Sequence, residues 1–135
     1  MQNRDLAADY VRRAGARLRA LDVLFEEKSW ADVVREAQEI VELALKGLLR
    51  SSSVEPPSLY DVSDVLTEER ARLPEPIRGD LGRLADVSRK LRRDRELAFY
   101  GAEDLTPSDF YREADAVSAR DGARFVVERV SPHVR

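Results

Sequence analysis

The chain has 135 residues, 43% hydrophobic and 36% charged, which is the composition of a water-soluble globule of amphipathic segments and a length suited to one domain spanning 1–135. It contains no cysteine, which removes disulfides, thiolate metal sites and a cysteine nucleophile. A formal net charge of -3 argues against nucleic-acid binding by the whole surface but leaves local basic patches open.

Leu6, Tyr10, Ala14, Leu18, Leu21 and Phe25 recur at three- or four-residue steps, so the spacing predicts an amphipathic helix over 4–27, closed by Lys28 and Ser29. Ser29 followed by Asp32 has the spacing of a capping box and predicts a second helix starting near Trp30. That helix runs to about Arg50 with a wide apolar arc, from Val33, Val34 and Ala37 through Ile40, Val41, Ala44 and Leu45 to Leu48 and Leu49, as expected of a central helix. Glu36, Glu39, Glu42 and Lys46 occupy its remaining face, with Glu42 and Lys46 in the favourable i,i+4 order.

Adjacent Pro56 and Pro57 break the chain into a loop over 51–58. A shorter helix is expected over 61–73, ended by Pro74. Pro76 suits the first position of a fourth helix, in which Ile77, Leu81, Leu84, Ser88, Leu91, Arg95 and Ala98 share one stripe. Gly101 is the expected stop, which places Tyr100 at the helix C-terminus. A connector containing Pro107 leads to a last helix over 112–130, with Ala116, Ala119, Ala123, Val126, Val127 and Val130 buried, Gly122 a weak spot and Pro132 the terminator. No segment alternates as a strand would, and no long repeat occurs; the fold class is all-α, a five-helix bundle.

Chemistry concentrates on the fourth helix. Arg89, Lys90, Arg92, Arg93 and Arg95 form the densest basic run, either a phosphate-binding surface or a solvated face favoured by the helix dipole. Arg95 falls on the apolar stripe, so its guanidinium must be paired, with Glu42 or Asp94 as structural partners, or else face an interface or cleft. The glutamates of helix two lack the histidines that di-metal bundles add and read as a solvated acidic face, with no metal. Ser88 has no histidine base beside it, the only histidine being His133 in the tail. Neither a glycine-rich phosphate loop nor a zinc motif occurs, and no cofactor is called for. The absence of an export signal and of any run of roughly 20 apolar residues leads to the expectation of a cytoplasmic protein without a membrane span.

The stretch Leu91-Arg-Arg-Asp-Arg-Glu-Leu-Ala-Phe-Tyr-Gly101, followed by Glu103-Asp104-Leu105 and Pro107-Ser-Asp-Phe-Tyr111, resembles the helix-four signature of HEPN-domain proteins. The segment from Val34 to Arg50 and the loop Glu55-Pro-Pro57 leading to Asp61-Val62 resemble the same family in the same order. The resemblance implies an up-and-down five-helix bundle, usually a homodimer, with an arginine and a histidine four to six residues later lining a cleft near the dimer interface. In ribonuclease members that pair cleaves RNA without metal; other members work beside a small nucleotidyltransferase as a toxin and antitoxin. Arg95 matches the arginine, with Arg93 also inside the spacing window. Tyr100 stands in place of the histidine, and Tyr60 likewise stands where many relatives carry one. An unperturbed phenol, with a pKa of about 10, is a poor base at neutral pH. The expectation is therefore a homodimeric module that binds RNA or nucleotide phosphates through Arg92, Arg93, Arg95 and Tyr100 beside a nucleotidyltransferase partner. The alternative is a metal-independent endoribonuclease with Arg95 and Tyr100 catalytic.

Overall fold

In the computed structural model the described residues are 2–57, 61–100 and 106–134, with side chains described for 4–57, 61–93 and 106–134. Six α-helices follow in order: α1 (Gln2–Glu26), α2 (Trp30–Ser51), α3 (Val62–Glu68), α4 (Leu81–Tyr100), α5 (Pro107–Phe110) and α6 (Glu113–Val130). No strand occurs among the described residues. The architecture is an all-α bundle.

The wide apolar arc of α2 makes it the hub. It packs against α1, α4 and α6. Ile40, Leu45, Leu48 and Leu49 are fully buried there, joined by Leu21 from α1, Leu66 from α3 and Leu84 from α4. Burying each such side chain contributes about 1.5–3 kcal/mol. All six residues expected on the inner face of α6 are buried.

Two helix ends are closed by residues in the left-handed region. Lys28 has φ 58°, its N–H donating to Phe25 O at 3.0 Å, while the N–H of Ser29 donates to Leu24 O at 3.0 Å. Ser53, φ 60°, closes α2 in the same pattern, through its own N–H to Arg50 O at 3.1 Å and Val54 N–H to Leu49 O at 2.8 Å. These are Schellman closures, in which the left-handed residue is usually glycine. Relieving the contact between Cβ and the backbone should let Lys28→Gly raise the unfolding free energy by about 0.5–1 kcal/mol, read by urea titration.

Some boundaries differ from the sequence expectation. Ser29 does precede α2, yet its hydroxyl donates to Asp32 Oδ2 at 2.5 Å and makes no bond to a helix amide, so the capping box does not form. The helix expected over 61–73 is split: Asp61 caps α3 by accepting from Ser63 N–H at 2.9 Å, and 3-10 turns over Arg70–Arg72 and Glu75–Asp80 carry the chain to α4. Pro76 thus sits in a 3-10 turn that precedes α4 rather than in its first turn. The connector after α4 contains the one-turn α5, capped by Thr106, whose Oγ1 accepts from Asp109 N–H at 3.2 Å.

Candidate functional site

Helix α4 holds the basic run, and its backbone is an unbroken helix to Tyr100, the end expected from Gly101; Gly101 itself lies outside the described residues. Leu84, Ser88 and Leu91 form its buried stripe. Position 95 continues that register. Tyr100, five residues on, is displaced from position 95 by about 140° and instead continues the register of Arg89 and Arg93. The side chains of Arg95 and Tyr100 lie outside the described residues, as does Tyr60.

The structure divides the remaining cations between the two flanks of α4. Arg92 reaches toward α2, where its Nη1 meets Glu42 Oε1 at 3.4 Å, with the Arg92 side chain 39% exposed. Glu42, one of the two acids expected to pair with Arg95, is thus engaged by Arg92. Lys90 lies on the opposite flank, about 160° around the helix, and its Nζ donates to Ser118 Oγ of α6 at 3.3 Å. Arg89 pairs with Asp86 one turn back at 3.0 Å, and Arg93 is exposed. What reads as one run in the sequence is therefore a cationic outer face with one arm toward α2 and one toward α6.

The acidic face of α2 is not the freely solvated surface expected. Arg17 of α1 binds Glu36 through Nε at 2.5 Å and Glu39 through Nη2 at 3.1 Å, and Arg35 approaches Glu39 at 3.7 Å. With Arg92 on Glu42, this row of carboxylates ties α1, α2 and α4 together. Burial alone would lower the pKa of Arg17, but the hydrogen bond and charge of Glu36, then the charge and hydrogen bond of Glu39, hold it above its ordinary value. Arg17→Met should leave two half-buried carboxylates side by side and lower stability by about 1–2 kcal/mol, while the double variant with Glu36→Gln recovers part of that loss. A thermodynamic cycle from chemical denaturation measures the coupling.

A recess that the sequence did not announce lies beside the Lys90 arm. It is bounded by Val34 of α2, Val87, Lys90 and Leu91 of α4, Tyr111, and Asp115, Ser118, Ala119 and Gly122 of α6, and it encloses about 70 Å³. Tyr111 is 5% exposed, with its ring edge-on to Phe110 at 5.0 Å. Asp115 stands in the first turn of α6, where its Oδ2 accepts from Arg112 N–H at 2.9 Å. Only the resemblance of the Pro107–Tyr111 stretch marked this region in the sequence, because its lining comes from three helices and a loop.

The buried Ser88 lies in the interior of the bundle, and His133 sits in the 3-10 turn Ser131–His133 after α6. Among the described residues no helix is long and apolar enough to cross a membrane. A family model described as the HEPN domain matches residues 7–132. No curated protein and no solved structure matches the chain.

Proposed function

This chain belongs to the HEPN domain family, and from that premise we propose that it is a homodimeric cytoplasmic module holding RNA or nucleotide phosphates with Arg92, Arg93, Arg95 and Tyr100. Its partner in this reading is a small nucleotidyltransferase, in a system of toxin-antitoxin type. The observation that carries the proposal is the cationic outer face of α4, where Arg89, Lys90, Arg92 and Arg93 are all exposed. Guanidinium groups donate in pairs to phosphate oxygens, and a neutral phenol at a helix end adds a further donor without bringing charge of its own. The negative end of the α4 dipole would repel an anion on its own, so the arginines must supply the attraction there.

Binding of labelled single-stranded RNA, followed by fluorescence anisotropy from roughly 50 to 200 mM salt, tests the reading. Affinity should fall steeply over that range. A flat response would remove phosphate contacts as the source of binding. The same samples, held in chelator beside an Arg95→Ala control, report RNA integrity; decay in the parent protein alone would move the site from binding to cleavage.

A further inference from the structure

We propose that the recess between α4 and α6 is a nucleobase subsite. The inference rests on the phosphate-binding reading above only for the far end of the ligand; the recess itself is argued from its own lining.

Size is the first constraint. About 150 Å³ of such space holds a whole benzene ring, so the roughly 70 Å³ here receives the leading half of a flat ring, with the rest of a base lying in the open mouth. Its inner surface is apolar, with Leu91 and Ala119 buried and Val34 almost fully so. The ring of Tyr111 adds an aromatic surface for a flat ligand.

Polar chemistry at the mouth separates a base from a phosphate. Lys90 offers a cationic donor, and the Ser118 hydroxyl can donate or accept. The Asp115 carboxylate only accepts, and it would repel a phosphate group. A base edge presents carbonyl or ring-nitrogen acceptors beside imino or amino donors, and so can engage Lys90 and Asp115 together. Ser118 is the only hydrogen-bonding partner of Lys90 among the described residues, and no carboxylate there lies within ion-pair distance of it. The ammonium can therefore turn to a ligand at the cost of one 3.3 Å bond.

Geometry then ties the recess to the basic face. Arg93 follows Lys90 by three residues, about one helical turn, which suits a base in the recess and its phosphate on Arg93. The recess shares Val87, Ser118 and Gly122 with a shallow groove lined by Arg83, Glu113 and Asp121, with Arg124 4.0 Å from Asp121, so its charges largely cancel and it attracts a polyanion less than the arginines of α4 do. The strand should therefore leave toward the arginines.

The test uses free nucleosides and inorganic phosphate as separate probes, with binding followed by methyl NMR at Val34, Val87 and Ala119. A nucleoside should shift these resonances, and phosphate should leave them in place. Ser118→Leu, at an exposed position, closes the mouth without entering the core and should weaken nucleoside binding by about tenfold or more; Lys90→Gln, which keeps a neutral donor and loses only the charge, should weaken it by about three- to tenfold, the difference between a charged and a neutral hydrogen bond. Ser118→Leu should keep the salt slope of RNA binding shown by the parent, while Arg93→Gln should lower that slope and keep the nucleoside shifts. Nucleosides that leave the recess methyls unmoved, or that bind the Ser118→Leu protein as they bind the parent, overturn the subsite even if RNA still binds the arginines.

Discussion

Replacing Arg92 and Arg93 together with glutamine should lower single-stranded RNA affinity by about a hundredfold at low salt. Each guanidinium makes charge-assisted hydrogen bonds worth about 1.5–3 kcal/mol, with part of that lost to solvent because both side chains are exposed. The same double variant should flatten the dependence of log K on log salt by about 1.4, since each single-strand phosphate contact contributes a slope of about 0.7. Fold should be little affected, because the 3.4 Å pair between Arg92 and Glu42 lies on a partly exposed surface, where such pairs contribute little. Circular dichroism with an unchanged melting midpoint, beside an unchanged salt slope, would exclude these two residues from the ligand contact.

The second large effect is on stability and depends on where a methyl group is added. At Gly47, in the interior of α2, a Cβ would meet Val11 Cγ2 at 2.8 Å and the backbone O of Ala7 at 3.2 Å. Glycine in a helix costs about 1 kcal/mol relative to alanine, and here it is the close approach of α1 to α2 that requires it. Gly47→Ala should lose about 1–2 kcal/mol despite its better helix propensity, and Gly47→Leu about 3 kcal/mol or more, since α1 must be pushed off the hub. At Gly15 of α1 nothing lies within 4 Å of the added carbon. Gly15→Ala should therefore gain about 0.5–1 kcal/mol. Urea unfolding of the two alanine variants decides it: equal signs would mean that α1 does not sit as closely on α2 as described.

The helices were legible where periodicity is local. The stripe through Ala14 and Leu21, the broad arc of α2 and the alanine-valine face of α6 each declare themselves within a few turns, and the buried residues of α2 and α6 include every one expected; Leu6, expected on the first stripe, is instead exposed, and Ala7 is buried beside it. Boundaries that depend on competing turn geometries were harder. Pro74 was legible as a stop, but nothing in the order Glu69 to Leu73 distinguishes a continuing helix from a 3-10 turn, Pro76 opens a 3-10 turn as readily as an α-helix, and Ser29 finds its partner in a side chain rather than an amide.

Interhelical chemistry was the least legible. Arg17 is 19 residues from Glu36, and Arg92 is 50 residues from Glu42, so the pairing that converts an acidic face into a clamp emerges only once α1, α2 and α4 are packed. The recess is assembled in the same way. Of the proposed phosphate-binding residues, Arg92 and Arg93 could be placed on the surface of α4, whereas Arg95 and Tyr100 are placed by helical register alone.

The contact between Arg92 and Glu42 also bears on selectivity. Any anion that comes to this guanidinium finds a carboxylate already beside it and must compete with one fixed in position by α2. If Arg92 and Arg93 hold phosphates as proposed, a lone phosphate ion would compete from bulk solution and be held off. A phosphate tethered to a neighbour on Arg93 would compete at a far higher local concentration and displace the carboxylate. The ion pair would then act as a threshold that favours chains of phosphates over single ones, and Glu42→Gln should narrow the difference between them.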